Sequence, residues 1–116
     1  MSGGHFNYKQ YEIGHIADEL EWYILKCENK VPKDWGEDDE NGKYVPYVNE
    51  EPEEILNRMK EGLMHLRKAQ IFVHEIDYYL SGDTGPESFI RRLEKELAHL
   101  ALDEMVAINQ KLGLYT

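Results

Sequence analysis

Between Ile55 and Leu80, apolar residues recur at steps of three and four with no proline to interrupt them. This spacing places the apolar side chains on one face of an α-helix, because a helix makes one turn in about 3.6 residues. The members of this face are Ile55, Leu56, Met59, Leu63, Leu66, Ala69, Phe72, Val73, Ile76 and Leu80. Proline is tolerated in a first turn and glycine favours a helix end, so Pro52 and Gly82 bound a long helix over about residues 52–81.

Two further stretches have the same periodicity, and each follows a capping sequence. A capping box that begins at Asn7 predicts a first helix over about residues 7–28. A second capping box, which begins at Thr84, predicts a third helix over about residues 85–112 that ends at Gly113.

These stretches predict an all-α protein, an elongated bundle of three long helices in a single domain over residues 1–116. Residues 81–83 are the whole turn between helices 2 and 3, so these two helices should form an antiparallel hairpin. Gly14 in the first helix is expected to allow a close helix crossing. Since so long a bundle leaves much of its apolar surface exposed, we expect a homo-oligomer.

Residues 30–51 form an acidic connection between helices 1 and 2. Positions 31–51 carry two lysines against seven acidic residues, a net charge of −5 within a total of −10. Tyr44–Val48 is strand-like, but residues 36–40 before it are a poor strand partner. Trp35, together with the tyrosines of this segment, is expected to pack onto the bundle or onto a partner protein.

Composition excludes several classes of function. A net charge of −10 argues against direct nucleic-acid binding, which needs a basic face. No apolar run approaches the length of a membrane span, and the N-terminus lacks the basic and apolar regions of a signal peptide. Cys27 is the sole cysteine, so no disulfide and no cysteine-based metal site is expected. We therefore expect a cytoplasmic protein without membrane association, metal or cofactor.

The start of the predicted third helix has the groups that an anion site needs. Free backbone N–H groups at a helix start, hydroxyl groups and guanidinium groups all bind phosphate. The candidate ligand-binding side chains are Thr84, Ser88, Arg91 and Arg92. The alternative is purely structural, with Glu87 pairing with Arg91 at helical spacing and repelling an anion.

The N-terminal segment is the second candidate for ligand contact. The adjacent glycines Gly3 and Gly4 permit close approach of the backbone to a ligand. His5, Tyr8 and Tyr11 could stack on that ligand or form hydrogen bonds with it. The alternative is a segment that only caps the first helix.

No complete catalytic constellation is visible, so we expect a protein that is not an enzyme. Asp18 and Glu21 resemble one acidic motif of the MazG-like nucleotide pyrophosphatases, which bind magnesium through paired motifs, but the companion motif is absent. Glu12 and His15 have the spacing of di-iron ligands, yet the other carboxylates of such a site are not evident.

The segments GGHFNYKQY (residues 3–11) and LSGDTGPESF (residues 80–89) resemble segments of small uncharacterised proteins encoded by bacterial phages and prophages. The resemblance covers the first helix and the junction of the second and third helices, and it includes no catalytic motif. It implies an accessory protein that counters host defences.

Four functions are therefore compatible with the sequence, the last of them a purely structural or assembly role. The first is a homo-oligomer that sequesters a small anionic, nucleotide-like ligand. The second is an acidic inhibitor that imitates nucleic-acid phosphates and blocks a host defence nuclease or helicase. Its partner-binding residues would be Glu37, Asp38, Asp39 and Glu40. The third is a MazG-like nucleotide pyrophosphatase.

Overall fold

Three helices and two strands make up the chain. The computed structural model describes residues 4–111, with side chains described for residues 4–103. The elements, in chain order, are α1 (Gln10–Glu28), β1 (Pro32–Asp38), β2 (Tyr44–Val48), α2 (Glu53–Leu80) and α3 (Pro86–Lys111). The predicted helix end at Gly113 lies outside the described residues.

The prediction of an all-α bundle is wrong, because the acidic connection contains an antiparallel β-hairpin. Strand β1 pairs with β2 so that Gly36 lies opposite Pro46 and Asp38 lies opposite Tyr44. Segment 36–40 is an adequate strand partner because Gly36 has no side chain. A Cβ atom at Gly36 would collide with the carbonyl oxygen of Val45.

The turn of the hairpin is held by the side chain of Asp39. Its Oδ1 atom accepts hydrogen bonds from the backbone N–H groups of Asn41 and Lys43, both at 2.9 Å. Gly42 adopts a φ of +78°, a conformation that glycine reaches without steric cost. The carboxylate of Asp39 is therefore part of the turn.

Further contacts close the base of the hairpin and attach it to the helices beside it. The buried Asn49 donates hydrogen bonds from its backbone N–H and from Nδ2 to the carbonyl oxygen of Val31, each at 2.8 Å. The hydroxyl group of Tyr23 in α1 donates to Glu51 Oε1 at 2.7 Å. This hydrogen bond to Glu51 raises the pKa of Tyr23.

Helix α1 begins at Gln10, three residues later than the capping box at Asn7 predicts. Asn7 and Tyr8 have φ values of +54° and +66°, so they lie in the left-handed region. An N-cap residue needs an extended backbone instead. The cap that the sequence predicts at Asn7 is therefore not formed.

The C-terminal end of α1 is a Schellman motif. The N–H of Val31 donates to the carbonyl oxygen of Lys26 at 2.9 Å, and that of Lys30 donates to Cys27 at 3.2 Å. Lys30 takes the left-handed position with a φ of +49°. Glycine is usual there, yet the helix ends at Glu28, which agrees with the end predicted from the sequence. At the end of α2, Gly82 occupies the same position with a φ of +81°.

The chain divides into two compact units, and each has a different kind of interior. The second unit, Ile16–Met64, buries apolar side chains of α1. These are Ala17, Ile24 and Cys27. The first unit comprises the described residues up to His15 and from His65 onward. Its most buried described side chains are polar, namely Gln10, Glu75 and Asp77.

Several large apolar side chains remain exposed, among them Ile16, Trp22 and Leu102. Among the described residues, no helix combines the length and the apolar character that crossing a membrane requires. The homo-oligomer predicted from the sequence stays a prediction.

Candidate functional site

A cleft with a volume of about 430 Å³ opens in the first unit, where the start of α1 meets α2 and α3. The helices α2 and α3 run in opposite directions here, with the ring of Tyr79 5.1 Å from that of Phe89 near their connection. The cleft is lined by Gln10, Tyr11, Arg67, Gln70, Ile71, His74, Glu96 and Leu100. Its volume falls within the range usual for small-molecule sites.

Gln10 lines this cleft and carries a buried hydrogen-bond acceptor that has no partner among the described residues. Its side chain is 8% exposed, and its Oε1 atom has no hydrogen-bond partner within the described part of the chain. A buried polar atom without a partner costs about 1–3 kcal/mol of stability. A ligand with an N–H or O–H donor that reached this atom would remove that cost, so the cleft is a candidate binding site.

Gly14 and Gln70 shape one wall of the cleft. A Cβ atom at Gly14 would lie 2.9 Å from Gln70 Nε2, so the glycine lies against the Gln70 side chain. The close helix crossing expected at this glycine stays a prediction. Gln70 Oε1 accepts a hydrogen bond from Arg67 Nη1 at 3.2 Å. The glycine therefore leaves room for the glutamine that orients Arg67.

Glu75 lies beside the cleft and is completely buried. Its Oε1 atom accepts a hydrogen bond from Arg92 Nε at 2.8 Å. The guanidinium group of Arg92 also lies 5.4 Å from the centroid of the Tyr78 ring. The hydrogen bond with Glu75 raises the pKa of Arg92, because removing the proton would leave a buried carboxylate without its cation.

The carboxylate of Glu75 interacts with two titratable residues of the cleft, His74 and Glu96. Glu75 Oε2 has no hydrogen-bond partner among residues 4–103, and His74 Nε2 lies 3.9 Å from it. Burial raises the pKa of Glu96 above its usual range, and the negative charge of Glu75 raises it further. A protonated Glu96 would donate to Glu75 and so give the buried oxygen a partner.

The candidate anion-binding residues at the start of α3 do not come together around one space. Arg92 is joined to Glu75, whereas Arg91 Nη2 approaches Ser88 Oγ at 3.4 Å on an exposed face. Thr84 Oγ1 is buried and has no hydrogen-bond partner within the described residues, so it does not cap the helix as predicted. The shallow depression around Arg91 is lined by Pro86, Glu87, Ile90 and Glu94. The two carboxylates there disfavour an anion.

The N-terminal candidates divide between the cleft and the structure around it. Tyr11 lines the cleft, and the ring of Tyr8 is stacked beside it at 6.0 Å and an angle of 25°. The ring of His5 packs edge-on against Phe6 at 5.0 Å. Tyr11 is therefore part of the cleft lining, and Tyr8 packs against Tyr11.

The backbone of the N-terminal segment closely approaches a carboxylate of α2. Asp77 is buried, and its Oδ1 atom accepts a hydrogen bond from the N–H of Phe6 at 3.0 Å. Gly4 has a φ of +58°, and a Cβ atom there would lie 2.5 Å from Asp77 Oδ2. The close approach that the sequence suggested for a ligand at Gly4 is therefore made to Asp77.

No protein family, curated protein or solved structure matches this chain. The roles of the cleft residues follow from their own chemistry. The sequence analysis did not assign Gln10, Glu75 and Glu96 to a site because it took the apolar residues alone as the buried face of each helix. A signal was present in Ile71, Glu75 and Tyr78, which have helical spacing and share the face of α2 that is turned inward.

The acidic residues of the other hypotheses lie on α1 and on the hairpin. Asp18 and Glu21 are three positions apart in α1, as are Glu12 and His15. Among the residues with described side chains, no group of three or more His, Cys, Asp and Glu residues could hold a metal ion. Glu37 and Asp38 belong to β1.

One face of the hairpin carries an exposed aromatic pair. Trp35 is 60% exposed, and its ring packs edge-on against that of Tyr47 with the centroids 4.7 Å apart. The ammonium group of Lys33 lies 5.1 Å from the centroid of the Trp35 ring. A hydrogen bond to Glu37 raises the pKa of Tyr47. A groove of about 580 Å³ includes this pair, together with Lys33, Pro46, Val48 and Glu50.

Proposed function

We propose that this chain is a binding protein, not an enzyme, that sequesters a small nucleotide-like ligand in the cleft of its first unit. The observation that carries the proposal is the buried and unpartnered Oε1 atom of Gln10, a residue of the cleft lining, whereas Thr84 Oγ1, which is also unpartnered among the described residues, belongs to a residue outside that lining. Natural proteins tolerate such an atom mainly where it has a role, because it costs stability in the absence of a ligand.

The chemistry of the lining suits the parts of a nucleotide. Gln10 and Glu96 offer acceptors to the amino and N–H groups of a base, and Tyr11 offers an aromatic ring on which a base can stack. Arg67 brings a positive charge to the lining, which favours a phosphate group. Ile71 adds apolar surface on which the flat face of a base can pack.

The proposal is tested by calorimetric titration with nucleoside mono-, di- and triphosphates and with cyclic nucleotides. The decisive variant is Gln10→Leu, which keeps the side-chain volume but removes the acceptor. We expect about tenfold weaker binding, the cost of one hydrogen bond. Without ligand, the variant should be at least as stable as the original chain, since the unpartnered buried oxygen is gone.

The matched control is Arg91→Ala, which changes a charge at the start of α3 outside the cleft lining. This variant should bind the ligand as tightly as the original chain does. If Arg91→Ala lost binding while Gln10→Leu kept it, the ligand-binding site would lie at the start of α3 and not in the cleft. A complete lack of binding across the nucleotide panel would reject the proposal.

The biological setting that we propose is a phage-type accessory protein that acts in the cytoplasm of the host cell against its defences. It rests on the resemblance of residues 3–11 and 80–89 to small phage and prophage proteins. Assembly as a homo-oligomer is part of the proposal, supported by exposed apolar side chains such as Trp22 and Leu102. Native mass spectrometry of the purified protein would report oligomer size and any retained ligand together.

A second candidate is an acidic inhibitor that imitates nucleic-acid phosphates toward a host defence nuclease or helicase. The regular structure of the hairpin favours this second function, since strand β1 holds Glu37 and Asp38 at a fixed spacing. Asp39 is committed to the turn, so Glu40 supplies the third available charge. Joint neutralisation of Glu37, Asp38 and Glu40 should abolish inhibition that is strong only at low salt. Unchanged inhibition would exclude charge mimicry.

A further inference from the structure

The aromatic pair of the hairpin already holds a cation. The Lys33 ammonium group lies 5.1 Å from the centroid of the Trp35 ring, within the range of a cation–π contact. The ring of Tyr47 meets that of Trp35 edge-on and fixes its orientation. Trp35 is nevertheless 60% exposed, so a large part of its ring surface remains accessible.

The charge around this pair selects for a positively charged partner. Positions 31–51 have a net charge of −5. Glu50 lines the same groove as the aromatic pair, and Glu37 forms a hydrogen bond with Tyr47. An acidic partner would be repelled here, whereas a basic segment would gain from both the carboxylates and the aromatic rings.

We propose that the Trp35–Tyr47 face of the hairpin is a docking surface for an arginine-containing basic segment of a partner protein. A guanidinium group of that segment takes the place of the Lys33 ammonium group over the Trp35 ring. The groove beside the pair, about 580 Å³ in volume, accommodates the neighbouring part of the segment.

Arginine suits this surface better than lysine does. Its planar guanidinium group stacks on an indole ring while its N–H groups form paired hydrogen bonds with a carboxylate. Glu50 provides such a carboxylate in the groove. The inference is independent of the nucleotide proposal, because every residue that it uses belongs to the second unit.

The test is the binding of a fluorescent hexa-arginine peptide with blocked ends to the full chain, followed by anisotropy. The chain has two tryptophans, so a Trp22→Phe background makes the intrinsic emission report on Trp35 alone. We expect the peptide to change that emission and its affinity to fall with rising salt. A hexa-lysine peptide should bind more weakly, and a hexa-glutamate peptide should not bind.

Two pairs of variants locate the contact. Trp35→Ala should weaken binding about 3- to 10-fold, the range of a cation–π contact. Its control is Tyr44→Ala, which removes an exposed ring of the same hairpin outside the groove and should leave binding unchanged. Lys33→Gln removes the internal competitor and should tighten binding, whereas Lys43→Gln, at the turn, should not.

The Lys33→Gln variant tests the proposal even if Trp35→Ala destabilises the hairpin, because the proposal predicts that this variant binds the peptide more tightly. Equal affinity of the original chain and Trp35→Ala, or equal gains in Lys33→Gln and Lys43→Gln, would show binding by general charge and overturn the inference. An unchanged Trp35 emission at saturating peptide would overturn it as well.

Discussion

Replacing Arg92 by methionine isolates the contribution of the buried ion pair in the first unit. Methionine keeps an unbranched apolar stem beside Tyr78 but removes the guanidinium group that donates to Glu75 at 2.8 Å. Glu75 is completely buried, so its carboxylate would lose its charged partner without gaining access to bulk water. We therefore expect a large loss of folding stability.

The size of this loss can be bounded from the structure. Removing one partner of a buried ion pair typically costs about 3–5 kcal/mol. Two features lower that figure here. The Arg92 side chain is 43% exposed, so water can enter where it is removed. A carboxylate can also take up a proton, which at pH 7 costs about 4 kcal/mol for an ordinary glutamic acid and sets an upper limit. We expect about 2–3 kcal/mol.

Urea unfolding followed by circular dichroism at pH 7 measures this loss. Arg91→Met is the matched control, since Arg91 is the neighbouring arginine and contacts Ser88 on an exposed face. That variant should lose less than about 0.5 kcal/mol.

A second substitution tests whether the unpaired charge is the cause. Adding Glu75→Gln to Arg92→Met removes the charge and should recover part of the loss at pH 7. The explanation would be refuted if Arg92→Met and Arg91→Met were equally stable, or if Glu75→Gln recovered none of the loss in the Arg92→Met background.

Two further predictions concern the same unit. Since the pKa of Glu96 is raised in the folded state, its contribution to stability is present below the unfolded pKa and is lost as the pH rises through the folded pKa. Glu96→Gln should therefore unfold at higher urea than the original chain at pH 7 but not at pH 3, and a gain of equal size at both would contradict the assignment. Gly4→Ala should cost about 2–3 kcal/mol in the same assay through left-handed strain and collision with Asp77. Its control, Gly62→Ala in the open interior of α2, should be neutral or stabilising, and an equal effect of both changes would count against the Gly4 contact.

The helices could be predicted from the sequence because periodicity is a local property. Strand β2 was indicated as well, by the strand-like residues Tyr44–Val48. Its pairing with β1 could not be predicted, since that pairing depends on Gly36 meeting a backbone across the turn and on Asp39 bonding to the turn itself. A run of acidic residues with one glycine has a poor intrinsic preference for a strand. The contacts made across the turn outweighed that preference.

The cleft was beyond sequence reasoning for a related reason. Gln10 and Glu75 lie far apart in the chain, and only folding places them in one unit. Their burial cannot be inferred from residue type, because glutamine and glutamate are mostly exposed in proteins. Tyr11 was found because an aromatic residue near a helix start suggests ligand contact by its type alone.

The two hydrogen bonds that Asn49 donates determine how the hairpin opens. An isolated two-stranded hairpin is at best marginally stable in water, so its persistence depends on what closes its base. Both hydrogen bonds of Asn49 end on one acceptor, the carbonyl oxygen of Val31. Their loss would release both strands at once. We therefore expect the backbone amides of the hairpin to exchange hydrogen for deuterium as one cooperative group, at a rate that Asn49→Ala would raise for all of them together.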